Sequence, residues 1–220
     1  LQLDEDDRVL GLQVHSQALQ RLGKTEPALT DAREALRILG NAPHRRAMAL
    51  LEWAGVLARR LGNHDDAVHH FERCLEMARD LGQELLVGTV LHNLGFAVQD
   101  RGEKRRGLSL QEEAVERMEK AGDLFNLANA LNGLGAGWLS LGDGDGARQH
   151  LARALDLAQR LGESGLQAQV LNNLGRAYAA EGRWERAEEL FAKSMEQRVA
   201  LGDTVGQAAV ADLAEPEDRP

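Results

Sequence analysis

Aromatic side chains are scarce in these 220 residues: three tryptophans, one tyrosine and four phenylalanines, 4 % of the chain. Apolar residues still make up 43 %. A continuous core must therefore be built from leucine and small residues, as when helix stacks on helix. There is one cysteine, Cys74. It can form no internal disulfide and fits a reducing, cytoplasmic setting. A small core residue is the expected role, ahead of a nucleophile. No apolar run reaches about 18 residues, so no helical membrane span is expected. No basic-then-apolar leader opens the chain. The first residue is Leu1 rather than Met, which points to excision from a longer protein. Basic residues are outnumbered, 26 Lys and Arg against 35 Asp and Glu, for a net charge of −9. An acidic surface repels phosphate backbones, so nucleic acid is not an expected partner. Most of the carboxylates are expected simply to solvate outer faces. Also missing are a nucleophile elbow, a Walker loop, a dinucleotide fingerprint and a zinc signature, so neither catalysis nor a cofactor is expected.

What the chain does have is a repeat. Residues 171–182 read LNNLGRAYAAEG. The same wording, with substitutions, stands 40 residues earlier at 131–142 (LNGLGAGWLSLG), then at 91–102 (LHNLGFAVQDRG) and 51–62 (LEWAGVLARRLG). A weaker copy, LQVHSQALQRLG, occupies 12–23 at an offset of 39. Two glycine series punctuate the repeats: Gly23, Gly62, Gly102, Gly142, Gly182, and Gly40, Gly82, Gly122, Gly162, Gly202. Glycine just past a helix end takes the left-handed conformation that other residues resist. Each interval of about 20 residues then reads as a helix of about 16 residues, about 24 Å long, plus a tight turn. The residues after the second series, Asn41, Gln83, Asp123, Glu163 and Asp203, are candidate helix starts. Pro43 falls where a first helical turn accepts proline.

Within the intervals the apolar spacing is helical. Ala187, Leu190, Phe191 and Ser194 form one buried stripe at i, i+3, i+4, i+7, and Ala147, Leu151 and Ala154 repeat it. So do Ala67, Phe71 and Cys74, and Ala28, Ala32 and Ala35. No segment alternates apolar and polar residues at length, so no sheet is expected. The spacing predicts one domain over 1–214, with repeats at about 4–40, 43–82, 84–122, 124–162 and 164–202. A last helix at 204–214 caps the stack, and the charged tail 215–220 is expected to fray.

Counted from Gly175, an aromatic follows at Tyr178, a turn glycine at Gly182, alanine at Ala187, an aromatic at Phe191 and a small residue at Ser194. Gly135, Trp138, Gly142, Ala147, Leu151 and Ala154 repeat the set, as do Gly55, Ala58, Gly62, Ala67, Phe71 and Cys74. This pattern resembles the tetratricopeptide (TPR) repeat over nearly the whole chain. The 40-residue period exceeds the usual 34 and is similar to that of kinesin light chains, of Pins-type adaptors and of the sensor arrays of bacterial regulatory ATPases and transcription activators. The arginine- and alanine-rich composition leans toward a bacterial source. The resemblance implies an all-α, right-handed superhelix (an α-solenoid) of five helix-turn-helix repeats plus a capping helix. Small residues would sit where paired helices approach, and the larger ones would fill the gap to the next repeat. The third repeat departs from the pattern: Gly107 stands for the alanine and Gln111 for the large apolar residue. Its second helix is expected to pack less tightly, each interior glycine costing about 1 kcal/mol relative to alanine.

The resemblance also places the first helix of each repeat on a concave groove. Carried over, the groove residues are Gln13, Gln17, Glu52, Trp53, Arg59, His92, Asn93, Phe96, Gln99, Asn129, Asn132, Gln169, Asn172, Asn173 and Arg176. Amides offer both donors and acceptors, which suits a peptide backbone. Arg59, Arg176, Trp53 and Phe96 would add side-chain selection. The competing reading is that Asn93, Asn132, Asn172 and Asn173 only bond neighbouring helices or face water. Gly133, Gly135 and Gly137 crowd one helix, as a shallow groove wall, a hinge or a tolerant stretch. His64, Asp65, Asp66, His69 and His70 have ligand chemistry without metal-site wording, and no metal is expected. Arg101, Lys104, Arg105 and Arg106 form the one basic cluster, read as a solvated turn ahead of a contact for an acidic partner. The function implied is a scaffold that binds a peptide or protein segment. The alternatives are a regulatory sensor arm of a larger ATPase or transcription regulator, and a self-association module, such as a homodimer through the convex face or the ends.

Overall fold

A computed structural model describes residues 4–40 and 45–214. Asn41, Pro43 and the tail 215–220 lie outside the described residues. Eleven helices follow one another, and no strand occurs among the described residues. They are α1 (Glu5–Arg21), α2 (Thr25–Leu39), α3 (Arg45–Arg60), α4 (His64–Asp80), α5 (Glu84–Asp100), α6 (Lys104–Ala121), α7 (Leu124–Ser140), α8 (Gly144–Leu161), α9 (Ser164–Ala180), α10 (Trp184–Ala200) and α11 (Thr204–Ala214).

The ten glycines of the two series are the ten described residues with positive φ. Gly62, at φ 76°, shows why: its own N–H bonds the Arg59 carbonyl at 3.0 Å, and the Asn63 N–H reaches back to Ala58 at 2.9 Å. That double closure needs a left-handed residue just past the helix. At the four described positions that follow the second glycine series, side-chain length separates the helix starts. Asp123 accepts from the Asn126 N–H at 3.1 Å and Asp203 from the Gly206 N–H at 2.9 Å. Gln83 and Glu163 stand at the same position without a side-chain cap, in line with the preference for short acceptors there.

The helices fall into two compact units, one up to Arg117 and one from Met118 onward. In the first, α1 pairs with α2, α3 with α4, and α5 with the start of α6. Its core runs through Val9, Leu29, Leu50, Leu51, Leu57, Phe71, Leu91 and Leu94, each no more than 2 % exposed. In the second, α7 pairs with α8 and α9 with α10. Helix α11 packs on α10, where Val210 joins Ala187 and Phe191. The four predicted stripes are buried throughout.

One contact recurs inside the hairpins. A Cβ added at Gly55 would stand 2.7 Å from the Phe71 ring, at Gly135 2.5 Å from Leu151, and at Gly175 2.5 Å from Phe191. So the large residue fills the space left by the glycine of its own hairpin. The sequence pattern had assigned it to the gap between repeats.

The third hairpin makes the same contact with Gln111, fully buried, whose Cγ lies 2.6 Å from where a Gly95 Cβ would be. Its Oε1 accepts from Gln99 Nε2 at 3.0 Å. A Cβ at Gly107 would meet the Gly95 carbonyl oxygen at 2.5 Å. The expected looseness is absent: α6 approaches α5 too closely there for any side chain. Gly107→Ala should therefore destabilise by about 1–3 kcal/mol through overpacking. Helix propensity alone predicts a gain of about 1 kcal/mol. A urea midpoint that rises in this variant would refute the packing account.

Outer faces carry ion pairs between successive hairpins. Arg106 meets Glu72 at 2.9 Å and Arg79 meets Glu113 at 3.4 Å in the first unit. Arg153 meets Glu119, and Arg148 meets Glu181, in the second. Half-exposed pairs of this kind contribute little each, roughly 0–1 kcal/mol.

Candidate functional site

The candidate residues sit on the first helices of the hairpins: α1, α3 and α5 in the first unit, α7 and α9 in the second. Their periodicity explains the placement. One stripe of each helix is spent on its hairpin partner and another on the adjoining first helix. The polar remainder, at i, i+3 or i+4, and i+7, stays on one side.

In the first unit the structure brings two groups together. Gln13 and Gln17 of α1 line a cavity of about 210 Å³ with Ala49, Leu50, Glu52, Trp53 and Val56 of α3. The Trp53 indole N–H donates to Ser16 Oγ at 2.9 Å, and Ser16 donates to the Ala28 carbonyl at 2.6 Å, which fixes the ring. Glu52 accepts at 3.3 Å from Asn93 Nδ2 of α5. Burial raises the Glu52 carboxyl above the usual carboxylate range, and the Asn93 bond only partly opposes that. The second group is Arg59, His92, Phe96 and Asp100. Arg59 pairs with Asp100 at 2.6 Å and lies 4.8 Å over the Phe96 ring, which His92 meets edge-on at 4.8 Å. His92 Nδ1 is buried without a hydrogen-bond partner, and burial, aided by the Arg59 charge, pushes the imidazole down to about 4.

In the second unit Asn173 Nδ2 donates to Asn132 Oδ1 at 2.9 Å, and Arg176 donates to Asn173 Oδ1 at 3.3 Å. The three form a chain across α7 and α9. Asn172 Oδ1 is buried and has no hydrogen-bond partner. Arg176 is exposed.

Two residues of the set bond elsewhere, and a third is left exposed. Gln99 turns to α6 and bonds Gln111, so it serves the helix pair. Asn129 donates to the Phe125 carbonyl of its own helix at 3.0 Å. Gln169 is exposed on α9, at i−4 from Asn173 and i−7 from Arg176, on the same helix face. Ser16 and Asp100 belong to the site, and sequence reading passed over both. Asp100 carried a signal: it ends the same helix as His92 and Phe96, 41 residues after Arg59. Gly133 is buried on α7, at the position that Asn93 and Asn173 hold in α5 and α9.

The remaining polar clusters are occupied by structure. Asp66 pairs with Arg33, and Asp65 with Arg101 at 3.4 Å. His70 is buried in the core of the first unit, only 6 % exposed. Among the described residues no three His, Cys, Asp or Glu side chains converge as metal ligands. Arg101 and Arg106 share Glu103, so the basic cluster is largely neutralised by its own neighbours. Cys74 donates to the Met48 carbonyl at 3.3 Å, and burial pushes its thiol up to about 12, so it stays protonated. No helix among the described residues is long and apolar enough to cross a membrane.

No curated protein matches the chain. Solved structures match it in fold. BtubC from P. vanneervenii is 24 % identical, with a TM-score of 0.73, over 95 % of this chain and 83 % of that one. The Rap conjugation gene regulator of plasmid pLS20, solved with a Phr peptide, is 15 % identical with a TM-score of 0.79, over 94 % of this chain and 58 % of that one. A signal transduction ATPase with a tetratricopeptide repeat sensor, from Pyrococcus horikoshii, is 15 % identical with a TM-score of 0.78, over 95 % of this chain and 32 % of that one. At these identities the likeness speaks for the fold alone. The tetratricopeptide repeat family itself matches residues 45–120 and 126–198. With its helical hairpins, glycine turns and more than half of its length matched, this chain belongs to the tetratricopeptide repeat family.

Proposed function

We propose that the chain is an interaction scaffold that holds a peptide or protein segment on the first-helix faces of its hairpins. It acts by binding and not by catalysis. The observation that carries this reading is the Asn132–Asn173–Arg176 chain with the unpartnered Asn172 carbonyl beside it. A buried acceptor without a donor costs about 1–3 kcal/mol. A backbone N–H from an extended ligand would remove that cost, and Arg176 would reach a ligand carbonyl or carboxylate. The Rap regulator, similar in fold and solved with a peptide, supports the same use of the fold.

The sensor name of the Pyrococcus protein supports a second form of the reading, in which this chain is the regulatory arm of a larger protein and the ligand is a signal or an internal segment.

The test is quantitative capture from source lysate, comparing the wild-type chain with Asn132→Ala/Asn172→Ala/Arg176→Ala. A partner retained by the first and reduced at least tenfold with the second, at equal helicity and melting, is the expected result. Equal retention would move the site to the outer faces or the turns. Concentration-dependent dimerisation indifferent to the substitutions would favour self-association.

A further inference from the structure

The cavity between α1 and α3 contains a carboxylate and no cation. Glu52 stands on its wall, with one oxygen bonded to Asn93. None of the ion pairs among the described residues includes Glu52. The nearest cations on the same helix face are Arg45, which is exposed, and Arg59, each two turns away, or about 10 Å, and neither lines the cavity. The charge of Arg59 is engaged by Asp100 at 2.6 Å and its plane by the Phe96 ring. The protein therefore leaves a half-buried carboxylate uncompensated, an arrangement that costs free energy unless a partner charge arrives.

The other walls suit a particular partner. Trp53 lines the cavity with its ring held through Ser16, and an indole π face attracts ammonium and guanidinium groups. Gln13 and Gln17 line it too, and their amide oxygens can accept hydrogen bonds from such a group. Ala49, Leu50 and Val56 line the remainder with apolar surface that suits an aliphatic stem. At about 210 Å³ the space is below the roughly 300 Å³ at which small-molecule and cofactor sites begin, and it suits one side chain. An anionic anchor would meet Glu52 with no cation among the lining residues to offset it.

We propose that this cavity receives the cationic end of a lysine or arginine side chain of the bound segment, with Glu52 as its counter-charge and Trp53 as its platform. The proposal builds on the peptide-binding reading but concerns the first unit. The amide chain that carries that reading lies in the second, so either can fail alone. The carboxyl is held above its ordinary range by burial, and a bound cation would draw it back down. Binding should therefore release protons at mildly acidic pH and weaken as pH falls.

The experiment is a titration of the full chain followed by the Trp53 indole N–H signal in heteronuclear NMR, assigned with Trp53→Phe. The probes are N-acetyl-lysine amide, N-acetyl-norleucine amide, which keeps the stem and lacks the charge, and alanine amide, whose cation is an α-ammonium. Expected is saturable millimolar binding of the lysine probe, at least tenfold weaker binding of norleucine, and at least a tenfold loss for lysine in Glu52→Gln with melting unchanged or raised. Stronger binding of alanine amide than of the lysine probe would assign the cavity to a chain terminus and overturn the side-chain reading. Equal response of wild type and Glu52→Gln to lysine, or no response in either, would overturn the proposal outright. Lysine binding lost in Glu52→Gln, in a protein that captures no partner through Asn132, Asn172 and Arg176, would keep the cavity and reject the peptide reading.

Discussion

Phe71→Ala should cost the first unit about 3–5 kcal/mol, the range for removing a fully buried aromatic. Phe71 is wholly inaccessible, and its ring lies where Gly55 has no side chain. Truncation opens a void against a backbone that cannot refill it, because α3 and α4 are tied along their whole length. The paired change separates packing from mere hydrophobicity. Gly55→Ala alone should also destabilise, since the added Cβ would lie 2.7 Å from the ring. In the Phe71→Ala background the same methyl enters empty space, and the two costs should fall short of additive by more than about 0.5 kcal/mol. Trp53 fluorescence in a Trp138→Phe/Trp184→Phe background reports the first unit during urea unfolding. A loss below about 1 kcal/mol, or strict additivity, would reject the contact as described.

Acid should weaken the same unit between pH 6.5 and 4, through two buried histidines. His70 is lowered from 6.5 to about 4, first by burial, with the charges of His69, Arg33 and Arg73 adding to it. Asp66, 3.6 Å away, opposes the shift, but Arg33 already claims that carboxylate. His92 is likewise lowered to about 4, by burial and by Arg59. For a base depressed in the folded state, the unfolded chain binds more protons over this window. The stability these groups confer is complete above pH 6.5 and is lost as pH falls toward 4. At about 1.4 kcal/mol per pH unit, each contributes roughly 2–3 kcal/mol of that loss by pH 4.5. Glu52, raised above its reference 4.5, acts in the opposite sense: its contribution is present below 4.5 and is lost as pH rises through the elevated value. The comparison is urea stability at pH 7 and 4.5 for wild type and for His70→Leu/His92→Leu. The double variant should lose less on acidification by several kcal/mol, and an unchanged difference would show that neither imidazole is kept neutral by folding.

The turns were legible because they rest on a backbone requirement. Positive φ selects glycine, and ten glycines in two series recorded ten turns without reference to the rest of the molecule. The first-helix positions were legible through registration: once 131–142 and 171–182 are aligned, Asn132 and Asn173 fall on adjoining helices. What sequence could not carry was the state of a group set by distant neighbours. Gln99 occupies the repeat position of Arg59, yet it points into its hairpin because Gln111, twelve residues later, replaces an apolar residue and needs a partner. Gly107 reads as a weak helix former, but its role is defined by the Gly95 carbonyl across the interface. The cluster around Arg101 and Arg106 looked basic in one stretch of chain. Asp65 and Glu72, more than thirty residues away, supply its counter-charges.

Within each unit, helices touch the next helix in the chain or the next but one. Contacts at such short sequence separation require little loop closure, which favours rapid folding. They also allow structure to start at any hairpin and spread to its neighbours. Loss of order should run the same course in reverse. Terminal hairpins would exchange their amide hydrogens first, and α4 and α9 would hold theirs longest. A ligand that bridges two or more hairpins would then be felt as slowed exchange well beyond the residues it touches.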